Sequence, residues 1–171
     1  IVLLAKDKDS LRGLMRQFQQ QTVAKEYWAL VTGVPSPANG RIDEPIGKLR
    51  GAKIPRFGVM DDGGKTAVSH YETIRSWRGY ALLQLRPEQG RTHQLRVHMA
   101  AIGHPIVGDA LYQMDDDSYL RWRQGGAMPD WLLLPRQALH CRQVGFLHPK
   151  TAVYTTVTAP LPDDLQALVD R

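Results

Sequence analysis

The sequence predicts an α+β fold, a mainly antiparallel sheet with flanking helices. Three observations carry this reading. Apolar segments with a period of two follow one another closely, the links between them are short and rich in glycine and proline, and few segments show the helical period of 3.6. At 171 residues, 43% of them apolar and 23% charged, the chain has one domain's length and ordinary globular composition.

The opening run, residues 1–6, reads as a buried strand. Asp9 or Ser10 is expected to cap a helix over about residues 10–21, because Leu11, Leu14, Met15 and Phe18 lie on one helical face. Residues 27–31 read as a strand stopped by Gly33, Pro35 and Pro37, and residues 41–46 as a short strand. Residues 47–64, rich in glycine and cations, read as a surface loop. Residues 67–77 and 80–86 form a strand pair around Arg78-Gly79, and a helix is expected over about 92–102, ended by Gly103. An irregular stretch with a short helix near 118–123 follows. A second strand pair, 139–147 and 152–159, is read from the alternation of Val153, Thr155 and Val157, and a helix starts near Asp163 with Leu165, Leu168 and Val169 inward.

No run approaches the roughly 18 apolar residues of a membrane span. The first residues lack the basic flank of a signal peptide, and there is no initiator methionine, so the chain is read as a fragment. Cys141, the only cysteine, excludes an internal disulfide and an all-cysteine metal site, and a cytoplasmic location is expected. Lysine and arginine number 22 against 17 acids, and the pI is near 9.5. That surplus is compatible with a polyanionic partner.

Two motifs carry the chemistry. The first is Lys25-Glu26-Tyr27-Trp28-Ala29-Leu30-Val31-Thr32-Gly33. The second is Gly90-Arg91-Thr92-His93-Gln94-Leu95-Arg96-Val97-His98, continued by Gly103-His104-Pro105-Ile106-Val107-Gly108-Asp109. With Leu139-His140, Phe146 and His148-Pro149, they resemble the RluA-type RNA pseudouridine synthases in order and spacing over nearly the whole chain. The resemblance implies a single pseudouridine synthase-like catalytic domain over residues 1–171, incomplete at its N-terminus. It implies isomerisation of uridine in RNA: the bond from nitrogen to the sugar breaks, the uracil turns, and carbon 5 joins the sugar. No cofactor or metal is implied. The partner is RNA, ribosomal before transfer RNA, and a monomer without membrane contact is expected.

Carried onto this sequence, Tyr27 contacts the flipped uracil and assists proton removal from carbon 5, although a phenol with an ordinary pKa near 10 needs help to do so. Arg96 is the partner of the family's catalytic aspartate, which a guanidinium can hold through two parallel hydrogen bonds. Arg91, near a helix start, and the loop cations Lys48, Arg50, Lys53 and Arg56 are expected at the RNA backbone. Thr92 reads as the helix cap, and Asp109 as a cap or brace of its own turn. His93 and His98, five apart, would be turned about 140° from each other on a helix and do not share a face for a metal. Trp122 and Trp131 are expected to seal the core edge, the alternative being an aromatic platform for RNA.

The family's aspartate motif, His-Arg-Leu-Asp-x-x-Thr-Ser-Gly, directly precedes a strand that here is residues 1–6. The nucleophilic aspartate is therefore expected upstream. The alternative is a non-catalytic RNA-binding relative that lacks it.

Overall fold

The computed structural model describes residues 1–170. In chain order the elements are α1 (Lys8–Gln19), β1 (Ala24–Thr32), β2 (Asn39–Asp43), β3 (Ile46–Lys48), β4 (Phe57–Val59), β5 (Val68–Trp77), β6 (Tyr80–Pro87), α2 (Gln94–Ala101), α3 (Ala110–Gln113), α4 (Asp116–Arg123), β7 (Leu139–Leu147), β8 (Tyr154–Thr158) and α5 (Asp163–Val169). They form two compact units, Ile1–Trp28 with His140–Arg171, and Ala29–Leu139. The α+β class holds, and the β2–β5, β3–β4, β5–β6 and β7–β8 ladders are all antiparallel.

In the first unit, Asp7 rather than Asp9 or Ser10 caps α1, its carboxylate accepting from the Ser10 N–H at 2.8 Å. Leu14, Val23, Val144 and Phe146 form the buried cluster, with Ile1, Leu3, Ala5 and Cys141 packed against it. Residues 1–6 are not the buried strand expected. They make no ladder, and their alternation buries one side only, leaving Val2 81% and Leu4 85% exposed. Likewise Leu11, Met15 and Phe18 stay about half exposed, so the apolar face of α1 is wider than the strip its own unit covers. β7 and β8 pair from Gln143↔Thr158 to Leu147↔Tyr154. β8 ends the strand order, so its alternation reflects an edge rather than half burial, and Tyr154 and Val157 are exposed. α5 buries Leu165, Leu168 and Val169 as its spacing requires.

In the second unit the strands run β2-β5-β6, with the end of β1 beside β6. β5 and β6 form the expected hairpin. Its turn residues Arg78 and Gly79 both take positive φ, 47° and 82°, the geometry that matches strand twist in a two-residue link. The strand expected over residues 41–46 is two elements, since β2 ends at Asp43 and β3 starts after Pro45. The expected loop 47–64 contains a hairpin, Ile46↔Val59 to Lys48↔Phe57. Leu83, Leu85, Met99, Ile106 and Leu132 are fully buried. No helix among the described residues is long and apolar enough to cross a membrane.

Candidate active site

The second motif forms the link that follows β6 and the first part of α2, and most of its polar residues fasten that helix in place. Thr92 does not cap it. The cap position is His93, in the left-handed region at φ 58° with no side-chain cap bond, and α2 begins only at Gln94. The Gln94 side chain reaches back to the link before the helix, its Oε1 accepting from the Arg91 N–H at 3.0 Å. Its Nε2 donates to Val68 O at 2.8 Å, which ties the helix start to β5.

His98, on the same helix, is fully buried between Ser69 Oγ at 2.8 Å and Glu44 O at 3.0 Å. A carbonyl can only accept, so Nε2 carries the proton and Nδ1 accepts from the serine hydroxyl. Burial holds the His98 pKa below its ordinary value, consistent with this neutral form.

Arg96 occupies the one position of the motif that presents a cation to a carboxylate. Its Nε and Nη2 donate to Asp109 Oδ2 and Oδ1, both at 2.7 Å, in a parallel two-point pair. The arginine side chain is 13% exposed and the aspartate 1%. Burial opposes the guanidinium charge, but the hydrogen bonds and attraction of Asp109 hold the Arg96 pKa above its ordinary value. The expectation for Asp109 is thus corrected. It stands at the start of α3 without capping it, and both carboxylate oxygens serve Arg96. Gly108 makes this possible. Its φ is 75°, and a Cβ there would sit 2.1 Å from Arg136 O.

The face of Arg96 is held as well as its edge. Its guanidinium carbon lies 4.9 Å from the centre of the Tyr112 ring. Tyr112 is aimed by two bonds at its oxygen, accepting from Phe57 N–H at 3.3 Å and meeting His93 Nδ1 at 2.9 Å. Burial, then the neighbouring Arg96, lowers the His93 pKa, which favours the neutral ring. Arg96 therefore offers Asp109 its Nε–Nη2 edge, and Nη1 takes no part in that pair. Neither α3 nor the placement of Tyr112 was legible from periodicity. The available signal was the position of Tyr112, three residues after Asp109, which puts both at the turn that α3 forms.

Tyr27 lies half-buried in β1, in the first unit. Burial, reinforced by Cys141 beside it, pushes its pKa up to about 12. The phenol is protonated at neutral pH and offers a ring and a hydroxyl proton, not a ready base.

The expected RNA contacts are unequal. Lys48 and Arg50 are exposed on the β3–β4 hairpin, where a concavity of about 900 Å³ is lined by residues 47–53 with Pro55, Met60, Asp62 and Gly63. Lys53 is paired with Asp117 at 2.8 Å and Arg56 with Asp116 at 2.6 Å, both acids lying in the first turn of α4. Arg56 also donates to Met114 O and is only 17% exposed. Arg91 directs Nε to Thr66 O at 3.0 Å.

Comparison with known proteins places this geometry. The family model described as RNA pseudouridylate synthase matches residues 1–101. An uncharacterized RNA pseudouridine synthase of Mycobacterium bovis is 37% identical over 97% of this chain and 50% of its own length. The ribosomal large subunit pseudouridine synthase D of Pseudomonas aeruginosa is 37% identical over 96% of this chain and 50% of its own. The solved structure of human RNA pseudouridylate synthase domain containing 4 superposes with a TM-score of 0.73 at 26% identity, covering 96% of this chain and 67% of that one. The chain spans about half the length of the curated relatives it matches. On these matches, and on the motifs that build α2 and its Arg96–Asp109 pair, the chain belongs to the RluA-type branch of the RNA pseudouridylate synthase family.

Proposed function

We propose that the protein containing this chain converts uridine to pseudouridine in RNA, with ribosomal RNA as its substrate. The observation that carries the reading is the fixed guanidinium of Arg96. Asp109 holds one edge and Tyr112 one face, which leaves an aimed, permanently charged edge for the nucleophilic carboxylate that the resemblance places upstream of residue 1. A carboxylate held there stays ionised and directed. Tyr27, protonated, supplies the ring that receives the flipped uracil. Flipping costs a few kcal/mol and stacking returns about 1–3 kcal/mol. Its hydroxyl acts as a hydrogen-bond donor, since a pKa near 12 disfavours the phenolate. The proton leaving carbon 5 then passes to another acceptor. Lys48, Arg50 and Arg91 meet the RNA backbone. Lys53 and Arg56 join them only by leaving Asp117 and Asp116.

Two curated relatives named for the large ribosomal subunit, from Zymomonas mobilis and Pseudomonas aeruginosa, support the ribosomal assignment. Mapping pseudouridine in RNA from cells with and without the gene tests it. The reading expects sites lost from ribosomal RNA. Sites lost only from transfer RNA would move the substrate, and no lost site would favour a non-catalytic RNA-binding relative.

A further inference from the structure

A cavity in the second unit shares only Tyr112 with the site described above. It measures about 460 Å³, within the range of pockets that take small ligands, and is lined by Thr32, Tyr80, Pro105, Val107, Tyr112, Gln113, Trp131 and Leu133. Trp131 stands 52% exposed, although nothing in its irregular segment requires an indole at the surface. Three of the lining residues are aromatic, and one of them, Tyr112, is the ring beneath Arg96.

The polar groups of the cavity are few and oriented. Gln113 donates from Nε2 to Ile106 O at 2.6 Å, which fixes its amide and turns Oε1 into an acceptor facing away from that bond. A turn that carries a cation lies next to the lining. Gly33 N–H bonds Gly79 O at 2.7 Å, so the Arg78-Gly79 turn adjoins the lining residues Thr32 and Tyr80. Arg78 is exposed at φ 47°, a backbone conformation that non-glycine residues adopt rarely. An aromatic wall, a side-chain amide acceptor and a cation on the adjoining turn fit a flat heterocycle joined to an anionic backbone.

We infer that this cavity binds an unpaired nucleobase of the RNA other than the uracil being isomerised, stacked on Trp131 with a neighbouring phosphate at Arg78. Gln113 Oε1 accepts from an amino or imino N–H on the base edge. Because Tyr112 belongs to both places, a base seated here also braces the ring that holds Arg96. The inference rests on the reading of the protein as an RNA-acting enzyme, but it concerns binding, which is measured apart from turnover.

The test uses the 171-residue chain and two fluorescein-labelled RNA decamers, oligouridine and its abasic counterpart, with affinity read by anisotropy. Trp131→Ala should weaken oligouridine binding about tenfold or more and leave the abasic decamer unchanged, since only the former has a base to stack. Trp131→Phe, which keeps a ring, should restore most of the affinity. Equal losses on both RNAs would show that the substitution acts through fold or charge, and would overturn the inference. No loss on either would do so too, and is the result for a cavity that seats a peptide side chain. If the unaltered chain binds neither decamer, the RNA-acting reading itself fails. If binding depends on Trp131 while no uridine is isomerised by the complete protein, only the catalytic reading fails.

Discussion

Replacing Asp109 with asparagine removes the charge that holds Arg96 while keeping the side chain's shape. The amide presents one acceptor and one donor to two guanidinium N–H groups, so one of the two 2.7 Å bonds becomes a donor facing a donor. Arg96 is 13% exposed, and water cannot replace what is lost. Breaking one partner of a buried pair costs about 3–5 kcal/mol. At roughly 2–4 °C per kcal/mol for a chain of this size, Tm should fall by about 6–20 °C. Urea unfolding followed by tryptophan fluorescence measures the loss directly. A companion variant, Arg96→Met with Asp109→Leu, removes both charges together and should recover most of the stability, because apolar replacement of a buried pair is often neutral or favourable. A loss below about 1 kcal/mol for Asp109→Asn, the size of an exposed bridge, would refute the description of Arg96 as locked. So would a double variant no more stable than the single one.

Acidification should destabilise the chain. The pKa values of His98 and His93 are lowered in the fold, so the unfolded state binds protons first, and stability present above the unfolded value near 6.5 is lost as pH falls from there toward the folded values. His98→Gln should flatten the dependence of Tm on pH between about 7.5 and 5, and an unchanged slope would assign it to other groups. Gly108→Ala should yield little soluble protein, or a Tm lowered by more than about 10 °C, because Arg136 O is backbone and cannot give way. Near-normal stability in a thermal melt would contradict that geometry. Neutralising Lys48 and Arg50 together should reduce the salt slope of RNA binding by about 1.4, at roughly 0.7 per phosphate contact on single strands. Neutralising Lys53 and Arg56, already paired with Asp117 and Asp116, should change it less, and equal changes would show that those ion pairs open on RNA.

Local pattern made much of this legible. The hairpin at Arg78-Gly79, the strand at 139–147 and the helix at Asp163 follow from turn chemistry and periodicity and the structure keeps them, while the strand expected over 152–159 is shorter, Tyr154–Thr158. Sequence pattern failed where burial depends on packing partners. The alternation in residues 1–6 and in β8 is real, yet it does not tell which face a neighbour covers. Thr92 is a good helix cap by type, but the chain passes through the left-handed region at His93, and no side chain caps α2. The same limit applied to charge. Four cations in residues 48–56 read as a free basic loop, and only the fold reveals that two of them face the acids of α4. Asp109 was recognised as part of a motif, but its partner, Arg96, is 13 positions away and reached only through the turn at Gly108.

The measurement that tests the central claim most directly is release of tritium from RNA carrying uridine labelled at carbon 5. With the upstream segment that carries the family's aspartate motif joined to this chain, release should be seen, and changing that aspartate to asparagine should abolish it. Arg96→Ala should lower turnover by orders of magnitude, and Tyr27→Phe, which keeps the ring, should damage turnover more than RNA binding. Full activity of the 171-residue chain alone, or release unaffected by Arg96→Ala, would contradict the account.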